Sequence, residues 1–437
     1  MSLESRTDWW RPVQRAPEAA PKRKARKTPG GELTRWSLIG FTVVLLLAPQ
    51  EQFSVLAPLR LAVLSVAAAV LAYAYGQLSQ KQPLLELSPE VVLVLLLIGW
   101  ATLTIAFSHW PGGSVSFLFD RYLKSVVMFL LLAHALTDLR QLQSITWCLV
   151  LCAVPLTLTT LVNYVTGTTL GEDTNRIAGY SSGMTSNPND MALTLNLILP
   201  VCLALLLGSR NSFAKLVLAG VAVLIVVAVI ATFSRSGFLT LAFIGVCYAW
   251  LLRKRPQRVW IPIIIIVGMF TLPLVPASYF DRLDTIVNIQ EDPTHSAQTR
   301  LDDMKVALDL ALSKPIVGSG IGMSLLALNE ARGAEWTDVH NVYLQLAMDL
   351  GFLGLLLFVL LWVRCLQASG RAVNAGEPDE TSEQLTFLGE ALCVSLLAFA
   401  FAAMFYPVAY HSYFYYFAGM GVAAGRIAGR SAGGAPP

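Results

Sequence analysis

The chain is organised around about twelve apolar runs, most of them long enough to cross a ~30 Å hydrocarbon core as a helix. They lie near residues 36–49, 55–75, 91–107, 121–137, 145–166, 190–208, 213–232, 237–252, 258–276, 342–367, 385–405 and 409–427. A segment in lipid must satisfy its backbone polar groups internally, so only helices and closed barrels can span. Runs of this length read as helices, since barrel strands are ~10-residue alternating segments. The first run is short, so it starts earlier, tilts, or pairs with the second as a hairpin. Charge usage agrees: 14% of the 437 residues are charged, where a soluble domain carries about a quarter. The expected fold is an all-α integral membrane protein of about 12 transmembrane helices, with one long external loop containing amphipathic helices.

The expected organisation has five parts. Residues 1–35 form a disordered basic cytoplasmic tail, and residues 36–276 hold helices one to nine. Residues 277–341 form the external loop, residues 342–428 hold helices ten to twelve, and residues 429–437 form a second cytoplasmic tail. The cluster Lys22-Arg23-Lys24-Ala25-Arg26-Lys27 lacks large apolar residues and sits before a first span. This is a positive-inside signal rather than a nucleic-acid arm. With the N-terminus inside, the inner loops carry Lys81, Arg140, Arg210, Lys215, Arg253, Lys254, Arg255, Arg258, Arg364, Arg371, Arg426 and Arg430. Both termini are then cytoplasmic. The six cysteines fall in or beside apolar runs. Cys148 and Cys152 share a helix face, without a His or carboxylate at metal-ligand spacing, so they read as packing residues and no metal site is expected. No internal repeat points to an inverted-repeat transporter.

Polar residues gather on the outer side. In a membrane protein such residues mark candidate sites. Arg176 follows span five, and Arg235 sits in the turn Phe233-Ser234-Arg235-Ser236-Gly237 between spans seven and eight. Arg300 and His340 lie in the long external loop. An arginine at a bilayer edge is either a snorkelling anchor or an anion ligand. Three on one face, two in Gly- and Ser-rich turns, point to a shared anion. Guanidinium binds phosphate oxygens bidentately and stays charged. His340 is either an interfacial histidine or a proton-transfer group working near neutral pH. Residues 299–313 alternate as an amphipathic helix, with Leu301, Met304, Leu308 and Leu312 on one side and Asp302, Asp303, Lys305 and Asp309 on the other. Such a helix lies on the membrane surface or packs over the bundle. Gly318-x-Gly320-x-Gly322 is not a nucleotide fingerprint, since the spacing is wrong and no strand precedes it. It reads as a tight turn with close backbone approach, the alternative being N–H groups offered to an anion. Ser186-Asn187-Pro188-Asn189-Asp190 is either a sugar-binding turn or a plain loop capped at Asn189 or Asp190.

In these ordered elements the chain resembles the O-antigen ligase family, which shares a domain with O-antigen and exopolysaccharide polymerases. The elements are Arg176-x-x-Gly179, Asn187-Pro188-Asn189-Asp190, and Thr232-Phe233-Ser234-Arg235-Ser236-Gly237. They continue with Arg300 and its helix, Pro315-x-x-Gly318-x-Gly320, and His340-Asn341-x-Tyr343-Leu344. Asp349-Leu350-Gly351-Phe352-x-Gly354 closes the series, with Asp349 where relatives often have Glu. The resemblance implies a metal-independent, inverting glycosyltransferase without a cofactor, in the bacterial inner membrane. It moves a glycan from undecaprenyl pyrophosphate to lipid A-core oligosaccharide on the periplasmic face. A polymerase using the same donor and a lipid-linked glycan acceptor is the alternative. A lipid-linked sugar flippase and a protein O-glycosyltransferase are weaker readings.

That chemistry assigns expected roles. His340 is the base, while Arg176, Arg235 and Arg300 bind the pyrophosphate, whose charge grows as it leaves. Asn187, Asn189, Ser234, Asn341 and Tyr343 contact glycan or shape the turns. The chain has no Asp-x-Asp, so the arginines stand where other transferases use a metal. Membrane lipids are partners and nucleic acid is not.

Overall fold

The computed structural model describes residues 31–168, 188–253, 296–333, 336–373 and 380–431, with a few positions between them, including Ile177, Gly179, Asn187 and Arg255. Arg176, residues 1–30 of the expected tail and the apolar run 258–276 lie outside the described residues, while residues 31–35, expected as the end of that tail, are helical.

The described regular structure is helical. In order the helices are α1 (Gly31–Leu47), α2 (Pro49–Gln52), α3 (Leu61–Ser79), α4 (Pro89–Thr104), α5 (Pro111–Phe117), α6 (Leu123–Ala135), α7 (Leu139–Thr166) and α8 (Pro188–Gly208). Then come α9 (Ser212–Ala231), α10 (Arg235–Leu252), α11 (Ser296–Ser313), α12 (Ser324–Arg332), α13 (Val342–Val373), α14 (Glu380–Ala402) and α15 (Ser412–Ser431). A π-helical turn, Leu118–Tyr122, joins α5 to α6. Eight of these helices, α3, α4, α7 to α10, α13 and α14, are long and apolar enough to cross a membrane. Three further apolar runs of the sequence coincide with α1, α6 and α15. Helix α1 is already helical at Gly31, the first described residue, and packs along α3, as in the hairpin that its short apolar run left open.

Local chemistry sets the boundaries. Ser88, Asp138, Asn187, Asn211 and Ser234 cap α4, α7, α8, α9 and α10 by accepting backbone N–H bonds at the first turn. Pro89 and Pro188 occupy first helical positions, where a missing N–H costs nothing. Asn187, rather than Asn189 or Asp190, is therefore the cap of α8. Its Oδ1 accepts from Asn189 N at 2.9 Å. The core lies where α8 packs on α14, α15 on α6 and α13, and α9 on α7 and α8.

The two ends of the bundle differ in chemistry. One end holds arginine–carboxylate pairs: Arg371–Glu90 at 3.1 Å, Arg210–Glu380 at 3.3 Å, Arg255–Glu390, and Arg426 with Arg430 on Glu86. The opposite end gathers the C-termini of α4, α7 and α14 and the N-termini of α8, α10, α13 and α15. Contacts that tie it together include Asn163 Nδ2 to Gly179 O at 3.3 Å, Tyr164 against Phe233 at 6.0 Å, and Tyr413 Oη to Asp190 Oδ1 at 2.8 Å.

Helix α13 is broken at Gly351, whose φ of 68° and ψ of 179° fall where side-chain-bearing residues are strongly disfavoured. The loop from Lys314 to Ser324 closes over the break. Ser319 N and Gly320 N donate to Met348 O and Asp349 O, at 2.6 and 2.9 Å, and Phe352 N donates to Pro315 O at 2.8 Å. Ser324 N donates to the buried Asp349 carboxylate at 2.6 Å, and Trp100 Nε1 donates to Leu350 O at 2.8 Å. The glycines are thus needed for close approach: a Cβ at Gly318 would meet the Met348 and Asp349 carbonyls, and one at Gly351 the Ile316 carbonyl. Gly318 N itself donates to Lys314 O. The Gly318 N–H is thus used within the loop and those of Ser319 and Gly320 by the broken helix, which leaves none of the three for an anion.

Candidate active site

The turn before α10 starts the site. Phe233 has φ 53°, a left-handed conformation that reverses the chain within Thr232–Ser234. Ser234 Oγ then accepts from Gly237 N at 3.1 Å as the helix cap, so Arg235 is the first residue of α10. The same hydroxyl donates to Asn189 Oδ1 at 2.8 Å. Lower down, Asn196 Nδ2 donates to Gly237 O at 2.8 Å, and a Cβ on Gly237 would collide with Ala192. Helices α8 and α10 are therefore locked together at their N-termini. Two positively polarised helix ends, with an arginine on one of them, face the same end of the bundle.

The histidine arrives on a third helix end. Asn341 Oδ1 accepts from Tyr343 N and Leu344 N at 2.9 and 3.0 Å, capping α13 one residue after His340. Val342 N donates to Ala403 O at 2.8 Å, Asn341 Nδ2 to Met404 O at 3.3 Å and Tyr343 Oη to Ala400 O at 2.8 Å. Three bonds thus hold the His340 segment to the C-terminal end of α14. Asn341 and Tyr343 make turn and docking contacts to backbone, while His340 itself is half-buried.

The end of α14 is also where α8 and α10 meet. Ala402 and Tyr406 line a narrow cleft of about 10 Å³ with Asn189, Asn196, Ser236 and Gly237, room for roughly one water. The stretch from Ala400 to Tyr413 therefore contacts the N-termini of α8, α10 and α13 together. It brings Asn187, Asn189, Ser234, Arg235, His340, Asn341 and Tyr343 to one end of the molecule.

Arg300 comes in on α11, which packs against α12 and α13. The packed side is Asp303, Ala307 and Ala311, with Ala307 and Ala311 clustered against Leu328, Val339, Ala347 and Met348. Arg300, one helical turn before Asp303, is half-buried. The leucines of the expected apolar stripe, Leu301, Leu308 and Leu312, are exposed among the described residues, and Met304 is half-buried. The small alanine face wins the contact because it lets helix backbones approach closely. The buried Asp303 is paired with Arg332 of α12, which also bonds the Thr337 hydroxyl and carbonyl. That pair, not evident from the heptad-like pattern, ties α11 and α12 to the segment leading into His340.

Two further groups went unassigned in the sequence. Asp338, two residues before His340, has its carboxyl raised by burial and opposed by the charge of Arg121 on the π-helical turn. His411 is pushed down to about 4 by burial, with Arg121 acting in the same direction. Its ring stacks on Tyr413 at 6.1 Å. The π-turn itself is a local signal of this kind, being enriched at functional sites, but no sequence motif announces it.

Residues 220–359 match the family model described as O-antigen ligase. This stretch is similar to the O-antigen ligase domain. It runs from α9 into α13 and contains Ser234, Arg235, Arg300, His340, Asn341 and Tyr343. Residues 35–207 match a family of unknown function (DUF5935), which takes in Arg176, Asn187 and Asn189. The stretch matched to O-antigen ligase thus holds His340, Arg235 and Arg300, and the preceding match holds Asn189, which bonds Ser234. No curated protein matches the chain in sequence.

Proposed function

We propose that the protein transfers a glycan from undecaprenyl pyrophosphate to lipid A-core oligosaccharide, with inversion, on the periplasmic face of the bacterial inner membrane. The observation that carries this reading is the meeting of three helix N-termini, α8, α10 and α13, on the Ala400–Tyr413 stretch, bearing Arg235 and His340. Four carboxylates, Glu86, Glu90, Glu380 and Glu390, pair with arginines at the other end of the bundle. The positive-inside rule makes that end cytoplasmic and turns the site outward.

In this reading His340 takes the proton from the acceptor hydroxyl as that oxygen attacks the anomeric carbon. The bond to the pyrophosphate oxygen breaks on the opposite face, and the leaving pyrophosphate keeps the electron pair. Arg235 and the helix ends meet the developing charge with fixed cations and N–H dipoles, which need no reorganisation during the step. Arg300 and Arg176 are the further cations. Asn187, Asn189 and Ser234 hold the Arg235 turn in place, and Asn341 with Tyr343 hold His340.

Complementation decides the reading. Expression in a strain lacking its O-antigen ligase restores long-chain lipopolysaccharide, and expression in a strain lacking only its polymerase does not lengthen single-repeat chains. The reverse outcome makes the protein a polymerase, and failure in both overturns the assignment. The purified protein is expected to work in excess EDTA, and loss restored by magnesium would defeat the role given to the arginines.

A further inference from the structure

At the arginine-rich end, helices α3 and α6 do not close on each other. Between them lies a crevice of about 180 Å³, lined by Val70, Tyr73, Ala74, Leu84, Val127 and Leu130 among others. Its rim is the non-helical segment 83–88, which carries exposed Leu84, Leu85 and Leu87. Three exposed leucines on a loop are unfavourable in water and natural beside acyl chains. Helix α3 is itself largely unburied within the protein and shows Val63, Leu64, Leu71, Tyr75 and Leu78 outward. The crevice therefore opens on a surface already turned to lipid.

Its polar edge is built and held. Glu86 pairs with Arg426 and lies 3.8 Å from Arg430, and Arg426 also donates to Ala133 O at 2.7 Å. His134 fixes the rim to α6: its Nε2 accepts from Glu86 N at 3.2 Å while Nδ1 contacts Leu130 O at 2.8 Å. Tyr73 Oη donates to Leu84 O at 2.9 Å, and Tyr73 lies in the field of both arginines. Two guanidiniums thus face one carboxylate, and Arg430 stays half exposed at 49%. The rim keeps a net positive charge beside an apolar slot, the pattern that suits an anionic phospholipid.

We propose that this crevice binds an anionic glycerophospholipid, with an acyl chain between α3 and α6 and its phosphate at Arg430. The site is separate from the proposed transfer centre and does not depend on that reading. A lipid held there wedges α3, which packs along α1 but touches α6 only lightly, against the rest of the bundle.

Native mass spectrometry of the purified full chain, delipidated in detergent and titrated with phosphatidylglycerol or phosphatidylethanolamine, tests it. The wild type is expected to retain one phosphatidylglycerol in preference to phosphatidylethanolamine. Ala74→Trp fills the slot and lowers retention of both lipids about tenfold, and Arg430→Gln lowers the preference for phosphatidylglycerol about fivefold. Lys215→Gln, an exposed cation of the same end, leaves both unchanged. Equal retention by the Trp variant and the wild type overturns the proposal, as does an Arg430→Gln variant with an undiminished preference. A chain lacking residues 1–30 that binds the lipid where the full chain does not would assign the crevice to the chain's own tail. If Ala74→Trp does not fold, Ala74→Leu with Arg430→Gln gives the same two readouts.

Discussion

Ser234 Oγ donates to Asn189 Oδ1 across 2.8 Å, joining the first turns of two helices that are 45 residues apart in sequence. The same oxygen caps α10, so one hydroxyl sets both where the helix starts and where Arg235 stands relative to the Asn187–Asp190 turn. Ser234→Ala is expected to cost about 1 kcal/mol as a lost cap. It should also lower glycan transfer by roughly 10- to 100-fold, because small displacements of a catalytic constellation are expensive. Comparing thermal unfolding in detergent with transfer activity separates the two effects. Equal activity in the two proteins would show that the bond does not position Arg235.

His340→Ala is expected to abolish transfer while the protein still reaches the membrane, and Arg235→Ala to do the same. Arg235→Lys should keep part of the activity, since charge survives but the planar two-donor fork does not. The measurement is lipopolysaccharide laddering in the ligase-null strain, with protein level read by immunoblot. Wild-type ladders from His340→Ala would remove it as the base.

Arg332 and Asp303 form a pair whose side chains are 12% and 3% exposed. Breaking such a pair from one side leaves a buried charge, at a cost of about 3–5 kcal/mol. Arg332→Met alone is therefore expected to destabilise the protein strongly, and the double change Asp303→Leu with Arg332→Met to recover much of the loss. A double variant no better than the single one would mean that the pair is not the fastening between α11 and α12.

His411 gives a pH prediction. Its imidazole is pushed down to about 4 in the folded protein, first by burial and then by Arg121, against about 6.5 unfolded. The unfolded chain then binds the extra proton between these values. Stability falls as pH drops from about 6.5 toward 4, on the order of 3 kcal/mol in all. His411→Gln should flatten that part of the curve of unfolding temperature against pH. An unchanged slope would place the titration elsewhere.

Gly351→Ala should fail differently from the site variants. Its backbone conformation is nearly reserved for glycine, and the new methyl meets the Ile316 carbonyl, so a loss above about 3 kcal/mol is expected. Limited proteolysis within Lys314–Ser324 would report the loop lifting. A stable, protease-resistant variant would show that the break in α13 is not held by that loop.

Much of this was legible in the residues themselves. Apolar run length marks the eight described helices long and apolar enough to cross a membrane, because a bilayer imposes a length on any helix crossing it. The motif turns around Arg235 and His340 could be singled out because Ser, Asn and Gly at helix starts have few other uses. What local pattern did not disclose depends on partners distant in sequence. The alanine face of α11 beats its leucine stripe because close backbone approach to α13 matters there more than side-chain size. Asp303 looks like a surface carboxylate until Arg332 is placed beside it. The capping role of Asn187, by contrast, is local and follows from Pro188 beside it, whereas the use of Ala400–Tyr413 as a common support follows from no motif, since its contribution is mostly backbone carbonyl oxygens.

The interruption at Gly351 has a mechanical consequence. A continuous rod from His340 to the far leaflet would carry every change in bilayer thickness or tilt straight to the histidine. With the rod severed at Gly351, and the strap bonded to both sides of the break while α14 holds only the outer piece, the part beyond Phe352 can lean while the upper part stays put. His340, the base of the proposed reaction, is thereby insulated from the elastic state of the lipid around it.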